Sequence, residues 1–146
     1  MRWLLSLITV FSLAACSSPP QAQAQAMGNV DKLTIVDQKV GTGDEAKVGS
    51  EVSVQYTGWL YDENAKDKHG TKFDSSRDHG APFSFTVGEG RVIAGWDQGL
   101  VGMRVGGTRT LLIPSELGYG ARGAGGDIPP NASLVFDIEL LSVKTP

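Results

Sequence analysis

Val92-Ile93-Ala94-Gly95-Trp96-Asp97-Gln98-Gly99-Leu100-Val101-Gly102-Met103 is the stretch on which the reading of this chain turns. Ile93, Trp96, Leu100 and Met103 recur at i, i+3, i+7 and i+10, which puts them on one apolar stripe of a 3.6-residue helix. Asp97 and Gln98 fall on the opposite side. Glycines inside and around the stretch make it a poor helix in isolation, and its length is at most about 15–18 Å. The pattern therefore predicts a short helix held from outside, its stripe pressed on a sheet. Trp96 becomes the floor of whatever cavity that sheet encloses.

The flanking segments read as strands. Leu33 to Val36 is β-rich and runs into the turn cluster Gly41-Thr42-Gly43. Glu51 to Leu60 alternates cleanly, with Val52, Val54, Tyr56, Gly58 and Leu60 sharing one face. Pro82 opens a short strand in which Phe83, Phe85 and Val87 point one way. Thr108 to Ile113 is a further strand, stopped by Pro114. Leu134 to Val143 alternates Leu134, Phe136, Ile138 and Leu140 against Val135, Asp137, Glu139 and Leu141. The charged, turn-rich Tyr61 to Lys72 reads as a solvated hairpin loop. Four or five strands, one short helix and connections too short for helical crossovers predict the α+β class: an antiparallel sheet curved as a half-barrel around one helix.

The 146 residues suffice for one domain, and 40% hydrophobic with 20% charged residues describes a globular chain. A formal charge of −3 without a basic run argues against nucleic acid as a partner. Residues 1–15 read as a signal peptide: Arg2 supplies a positive n-region, and Trp3 to Leu13 an apolar core too short to span a bilayer comfortably. Leu13-Ala14-Ala15-Cys16 resembles the bacterial lipobox, which implies cleavage before Cys16 and a lipid anchor, palmitate included, on that cysteine. The expected location is thus the bacterial cell envelope, membrane-anchored and facing the periplasm or exterior, since two or more acyl chains hold stably. Residues 16–29 are polar and of low complexity, a tether without an apolar stripe. The folded domain is expected over 30–146, as a monomer.

Other motifs carry little. Gly118-Tyr119-Gly120-Ala121-Arg122-Gly123 matches the dinucleotide pattern, but it leads into Ala-Gly-Gly-Asp-Ile-Pro-Pro, where no helix can follow. Only His69 and His79 exist, the single cysteine is assigned to lipid, and no set has metal-ligand spacing. Neither a metal nor a cofactor is expected. What stands out is a set of aromatic residues at inward-facing or loop-rim positions.

Six segments resemble, in order, the signatures of the FKBP-type peptidyl-prolyl cis/trans isomerases. They are Val54-Gln55-Tyr56-Thr57-Gly58, Lys72-Phe73-Asp74-Ser75-Ser76-Arg77-Asp78, Val92 to Asp97, Tyr119-Gly120-Ala121, Ile128-Pro129-Pro130-Asn131-Ala132 and Leu134-Val135-Phe136-Asp137. The resemblance covers essentially all of Val30 to Lys144. It implies rotation about X-Pro bonds in an apolar pocket, with proline-containing polypeptides as partners and macrolides such as rapamycin as ligands. Trp96 corresponds to the pocket floor; Tyr56, Phe83, Val92, Ile93 and Phe136 to its walls; and Phe73 to its rim. Asp74 corresponds to the carboxylate near the bound amide, Tyr119 to a hydroxyl donor, and Ile128 to a backbone N–H donor at the mouth. Tyr56, Phe73, Asp74, Tyr119 and Phe136 are the expected catalytic residues. His79, Asp127 and the longer Tyr61–Lys72 loop depart from the common pattern. Asp127 and Asp74 together would favour a basic residue beside the substrate proline. The alternative to an enzyme is a tethered chaperone that grips proline-containing segments without turnover, since both would use the same walls.

Overall fold

The computed structural model describes residues 28–146; the signal peptide, Cys16 and nearly all of the tether lie outside them. Six strands form one antiparallel sheet. They are β1 (Thr34–Lys39), β2 (Glu51–Tyr61), β3 (His69–Ser75), β4 (Phe83–Thr86), β5 (Thr108–Ile113) and β6 (Leu134–Lys144). The order is β1-β5-β6-β2-β3, with β4 pairing the first part of β2 along the same side that β3 takes further on. The two long strands, β2 and β6, are neighbours in the middle of the sheet.

The alternation read in β2 and β6 holds. Val52, Val54, Leu60, Leu134, Phe136, Ile138 and Leu140 all enter one core, together with Leu111 and Ile113 of β5. Val135, on the other face of β6, is also fully buried, outside that main cluster. The face opposite the main core is thus partly covered at this end of β6. Nearby on the chain, the Val30 N–H donates to the buried Ser133 hydroxyl (2.9 Å), so the segment before β1 is tied to that part of the sheet.

The helix is shorter than its apolar stripe. α1 spans Ala94–Gly99, with Ile93 as N-cap and Leu100 as C-cap. Gly102 has φ +86°, outside the helical region, and the chain closes instead as a turn in which the Met103 N–H bonds the Leu100 carbonyl. Trp96, Leu100 and Met103 are nonetheless buried, so the turn continues the stripe that the helix begins. At the other end, the Asp97 carboxylate accepts the N–H groups of Gly88 (2.9 Å) and Gly90 (3.0 Å). This fixes the turn that leads from β4 into the helix.

β3 falls largely within a stretch read as loop, and the irregular part of the connection shrinks to residues 62–68. Nor is it merely a solvated excursion. The His69 ring stacks on Trp59 (centroids 3.8 Å apart, 4° between planes), and its Nε2 lies 3.4 Å from Asp137 Oδ2. β3 escapes a period-2 reading because a bulge interrupts it. Gly58 pairs with Asp74 while Trp59 pairs with Lys72, leaving Phe73 as the extra residue. A bulge re-aims side chains next to it. Here it brings both Phe73 and Asp74, adjacent in sequence, to the same cavity.

Candidate active site

The concave side of the sheet and α1 enclose a cavity of about 190 Å³. That is smaller than the usual range for a drug-sized ligand, room for one small ring-sized group. Nine of the ten residues expected at the site line it: Tyr56 from β2, Phe73 and Asp74 from β3, Phe83 from β4, Val92 and Ile93 before the helix, Trp96 on it, Tyr119 from the glycine-rich segment, and Phe136 from β6. Clefts of about 450 and 500 Å³ lie elsewhere, lined mostly by polar and charged side chains and by none of these nine.

Trp96 is the hub. Its indole meets Tyr56 at 4.9 Å and Phe136 at 5.2 Å, both nearly edge-to-face. Phe85 and Phe83 pack at 5.6 and 6.1 Å, and Phe73 reaches the edge of Phe136 at 5.4 Å. Edge-to-face pairs contribute about 0.5–1.5 kcal/mol each beyond burial, so the rings hold one another in place. Among the described residues, Trp96 Nε1 is a buried side-chain donor without an acceptor. An otherwise apolar floor thus retains one free N–H.

The polar side of the cavity is a short network. The Tyr56 hydroxyl donates to Asp74 Oδ2 (2.6 Å), the Ser75 N–H donates to Asp74 Oδ1 (2.8 Å), and His79 Nε2 lies 2.9 Å from the same oxygen. Burial alone would raise the Asp74 carboxyl. The bonds from Tyr56, His79 and Ser75 outweigh that and hold it below an ordinary aspartate. Burial, then the bond to Asp74 and its charge, push the Tyr56 phenol well above its usual value. Burial followed by the Asp74 charge raises Tyr119 in the same direction. Near neutral pH the site therefore holds one carboxylate and two protonated phenols. Tyr56 is committed to Asp74, whereas the Tyr119 hydroxyl has no protein partner among the described residues.

Ile128 is the residue the structure keeps out of the cavity. Its side chain belongs to the main core, and its N–H donates to the Ala124 carbonyl (3.1 Å) across a bridge that closes the glycine-rich loop. That amide is already engaged. Ile93, by contrast, lines the cavity, and its N–H meets no protein acceptor among the described residues. Its freedom follows from standing at the N-cap, ahead of the first helical bond.

Asp127 is exposed and does not line the cavity, while Arg91 does. With Asp74 engaged by Tyr56 and His79, the expected preference for basic neighbours loses its basis. Lys- and Glu-flanked proline peptides should give kcat/KM values within about fivefold of each other even at low ionic strength. A tenfold or larger preference for the Lys peptide, abolished by Asp127→Asn, would restore Asp127 to the site. Arg91 carried no sequence signal, since nothing in Glu89-Gly90-Arg91 distinguishes a turn cation from a cavity cation.

An antiparallel sheet packed on one short helix, with a ring-lined cavity between them, defines an α+β domain with a site for a small apolar group. The family described as FKBP-type peptidyl-prolyl cis-trans isomerase matches residues 43–141. The FK506-binding protein of Neisseria meningitidis serogroup A is 56% identical over 111 residues, covering 76% of this chain and 95% of that protein. The peptidyl-prolyl cis-trans isomerase FPR2 of Saccharomyces cerevisiae is 54% identical over 138 residues, 94% of this chain and 93% of its own. The crystal structure of AtFKBP13 superposes with a TM-score of 0.67 at 44% identity, covering 77% of this chain and 93% of that one. The chain belongs to the FKBP-type peptidyl-prolyl cis-trans isomerases, and its activity is rotation about X-Pro bonds.

Proposed function

We propose that this isomerase assists the folding of polypeptides in a bacterial cell envelope, held to a membrane by acyl chains on Cys16. The anchoring half of the reading rests on Leu13-Ala14-Ala15-Cys16 and the apolar run before it. Cys16→Ala should release the protein from membranes or leave the precursor uncleaved. A Cys16→Ala protein that is still cleaved, membrane-bound and lipid-labelled would overturn it.

The catalytic half rests on one observation: a ring-lined cavity in which, beside the buried Trp96 N–H of its floor, the Tyr119 hydroxyl and the Ile93 N–H have no protein partner among the described residues. An X-Pro bond turns slowly because its C–N bond has partial double-bond character, with a barrier of about 18–20 kcal/mol. At the twisted transition state that resonance, and the charge separation it carries, is lost. Tyr56, Phe136 and Trp96 surround the proline ring and strip water from the amide, which disfavours the charge-separated planar forms. Tyr119 and the Ile93 N–H hold the flanking carbonyls while the bond turns, a role that passes to Ile93 because the Ile128 N–H is engaged. Binding the twisted form more tightly than either planar form suffices for catalysis. A thousandfold acceleration needs about 4 kcal/mol, within reach of apolar packing and one or two hydrogen bonds.

Tyr119 tests this. In a proline-limited refolding assay, Tyr119→Phe should lower kcat/KM and rapamycin affinity by a few-fold to about tenfold, the worth of one hydrogen bond. Its Tm should move by no more than a degree or two, because the hydroxyl has no protein partner among the described residues to lose. Unchanged catalysis and binding would remove Tyr119 from the site.

A further inference from the structure

α1 is a weak helix that must hold Trp96 still. It has six residues, two of them glycine, and no side-chain N-cap bond. Its seat is β5. A Cβ on Gly95 would come within 2.6 Å of the Ile113 side chain, and one on Gly99 within 2.6 Å of Leu111. The helix backbone thus rests directly on two side chains of one strand. Arg109, Leu111 and Ile113 are every second residue of β5, so they share one face. The Arg109 side chain is only 9% exposed. Nη1 donates to the Gly99 carbonyl at 2.7 Å and to the Val101 carbonyl at 3.1 Å, at the C-terminal end of the helix. Nε donates to Asp37 Oδ1 of β1 at 2.7 Å.

One guanidinium therefore ties the edge strand, the seat strand and the end of the helix that carries the cavity floor. Unsatisfied carbonyls at a helix C-terminus carry partial negative charge, which a cation complements. The planar fork reaches two carbonyls and a carboxylate at once, which the single ammonium of a lysine would not reproduce.

We propose that Arg109 is a positioning residue for isomerisation, oriented by Asp37. It sets how α1 sits on β5 and thereby the depth of the Trp96 indole beneath the substrate proline. Neither Arg109 nor Asp37 lines the cavity, so any effect on turnover must pass through the helix. The proposal rests on the family's isomerase activity and on Trp96 as the cavity floor.

The test uses the full chain carrying 5-fluorotryptophan, with the Trp96 resonance identified by its loss in Trp96→Phe. Arg109→Ala would remove all three bonds at once and leave a buried carbonyl unpaired, so Arg109→Lys and Asp37→Asn are the working variants. Leu140→Ala, a buried truncation on β6 outside the cavity lining, supplies a destabilised control. Arg109→Lys is expected to shift the Trp96 fluorine resonance, to reduce kcat/KM per folded molecule about fivefold or more, and to weaken rapamycin binding in parallel. Asp37→Asn should move all three in the same direction by less, and Leu140→Ala should lower Tm alone. An Arg109→Lys protein that behaves like Leu140→Ala, with wild-type resonance, rapamycin affinity and specific activity, would reduce Arg109 to a purely structural ion pair. The fluorine and rapamycin readings do not depend on turnover. A wild-type chain without isomerase activity would therefore count against the catalytic reading, and the resonance would still decide what Arg109 holds.

Discussion

Phe136→Ala is expected to lower kcat/KM on a proline tetrapeptide by ten- to a hundredfold and Tm by roughly 10–20 °C. Phe136 is 3% exposed, and its ring meets Trp96, Phe73 and Tyr56 at centroid distances of 5.2, 5.4 and 6.2 Å. Truncation removes the contact that joins the floor to the rim, so both stability and catalysis should respond. The two effects separate by temperature. Assayed well below its Tm, the folded variant has lost one apolar wall, and the missing contact with the proline ring is worth about 1.5–3 kcal/mol. A folded Phe136→Ala protein that turns over within threefold of the wild type would make the ring a core residue alone.

What the sequence disclosed and what it hid have physical reasons. Long strands with one face in the core impose a period of two, so β2 and β6 were legible almost to the residue. The helix was legible as a stripe but not as a length, because burial of Leu100 and Met103 does not require helical backbone there. β3 was hidden by its bulge at Phe73, and a bulge leaves no mark in a hydrophobicity pattern. The aromatic site residues on strands and on α1 stand out by side-chain type, whereas Asp74 came only through the family resemblance. Backbone donors do not stand out. Which of two amides is free depends on whether a loop closes on itself, and Ala124 closing on Ile128 cannot be seen before the loop is folded. Arg109 was equally silent, since a basic residue in a strand gives no hint that a helix end will lie over it.

Gly58→Ala is expected to cost about a hundredfold in kcat/KM and roughly 4–12 °C in Tm, although it adds a single methyl group and removes no contact. Across the sheet, Asp74, Gly58, Phe136 and Leu111 face one another on β3, β2, β6 and β5. Gly58 is the only position in that row without a side chain. A Cβ placed there would come within 2.6 Å of Phe136 Cε1 and 2.7 Å of Phe73 Cζ, closer than real carbon contacts allow. The glycine is required for that approach and not for its backbone angles. Both rings would have to retreat, and both are cavity walls. Displacements near 1 Å at a reacting site can cost about two orders of magnitude in rate. The clash is with ring atoms, so a smaller neighbour should relieve it: Phe73→Leu in the Gly58→Ala background should recover part of the lost Tm. It should recover little activity, because the rim ring is then gone. Wild-type Tm and kcat/KM in Gly58→Ala would mean that the rings yield freely and that the gap at Gly58 does not set the size of the cavity.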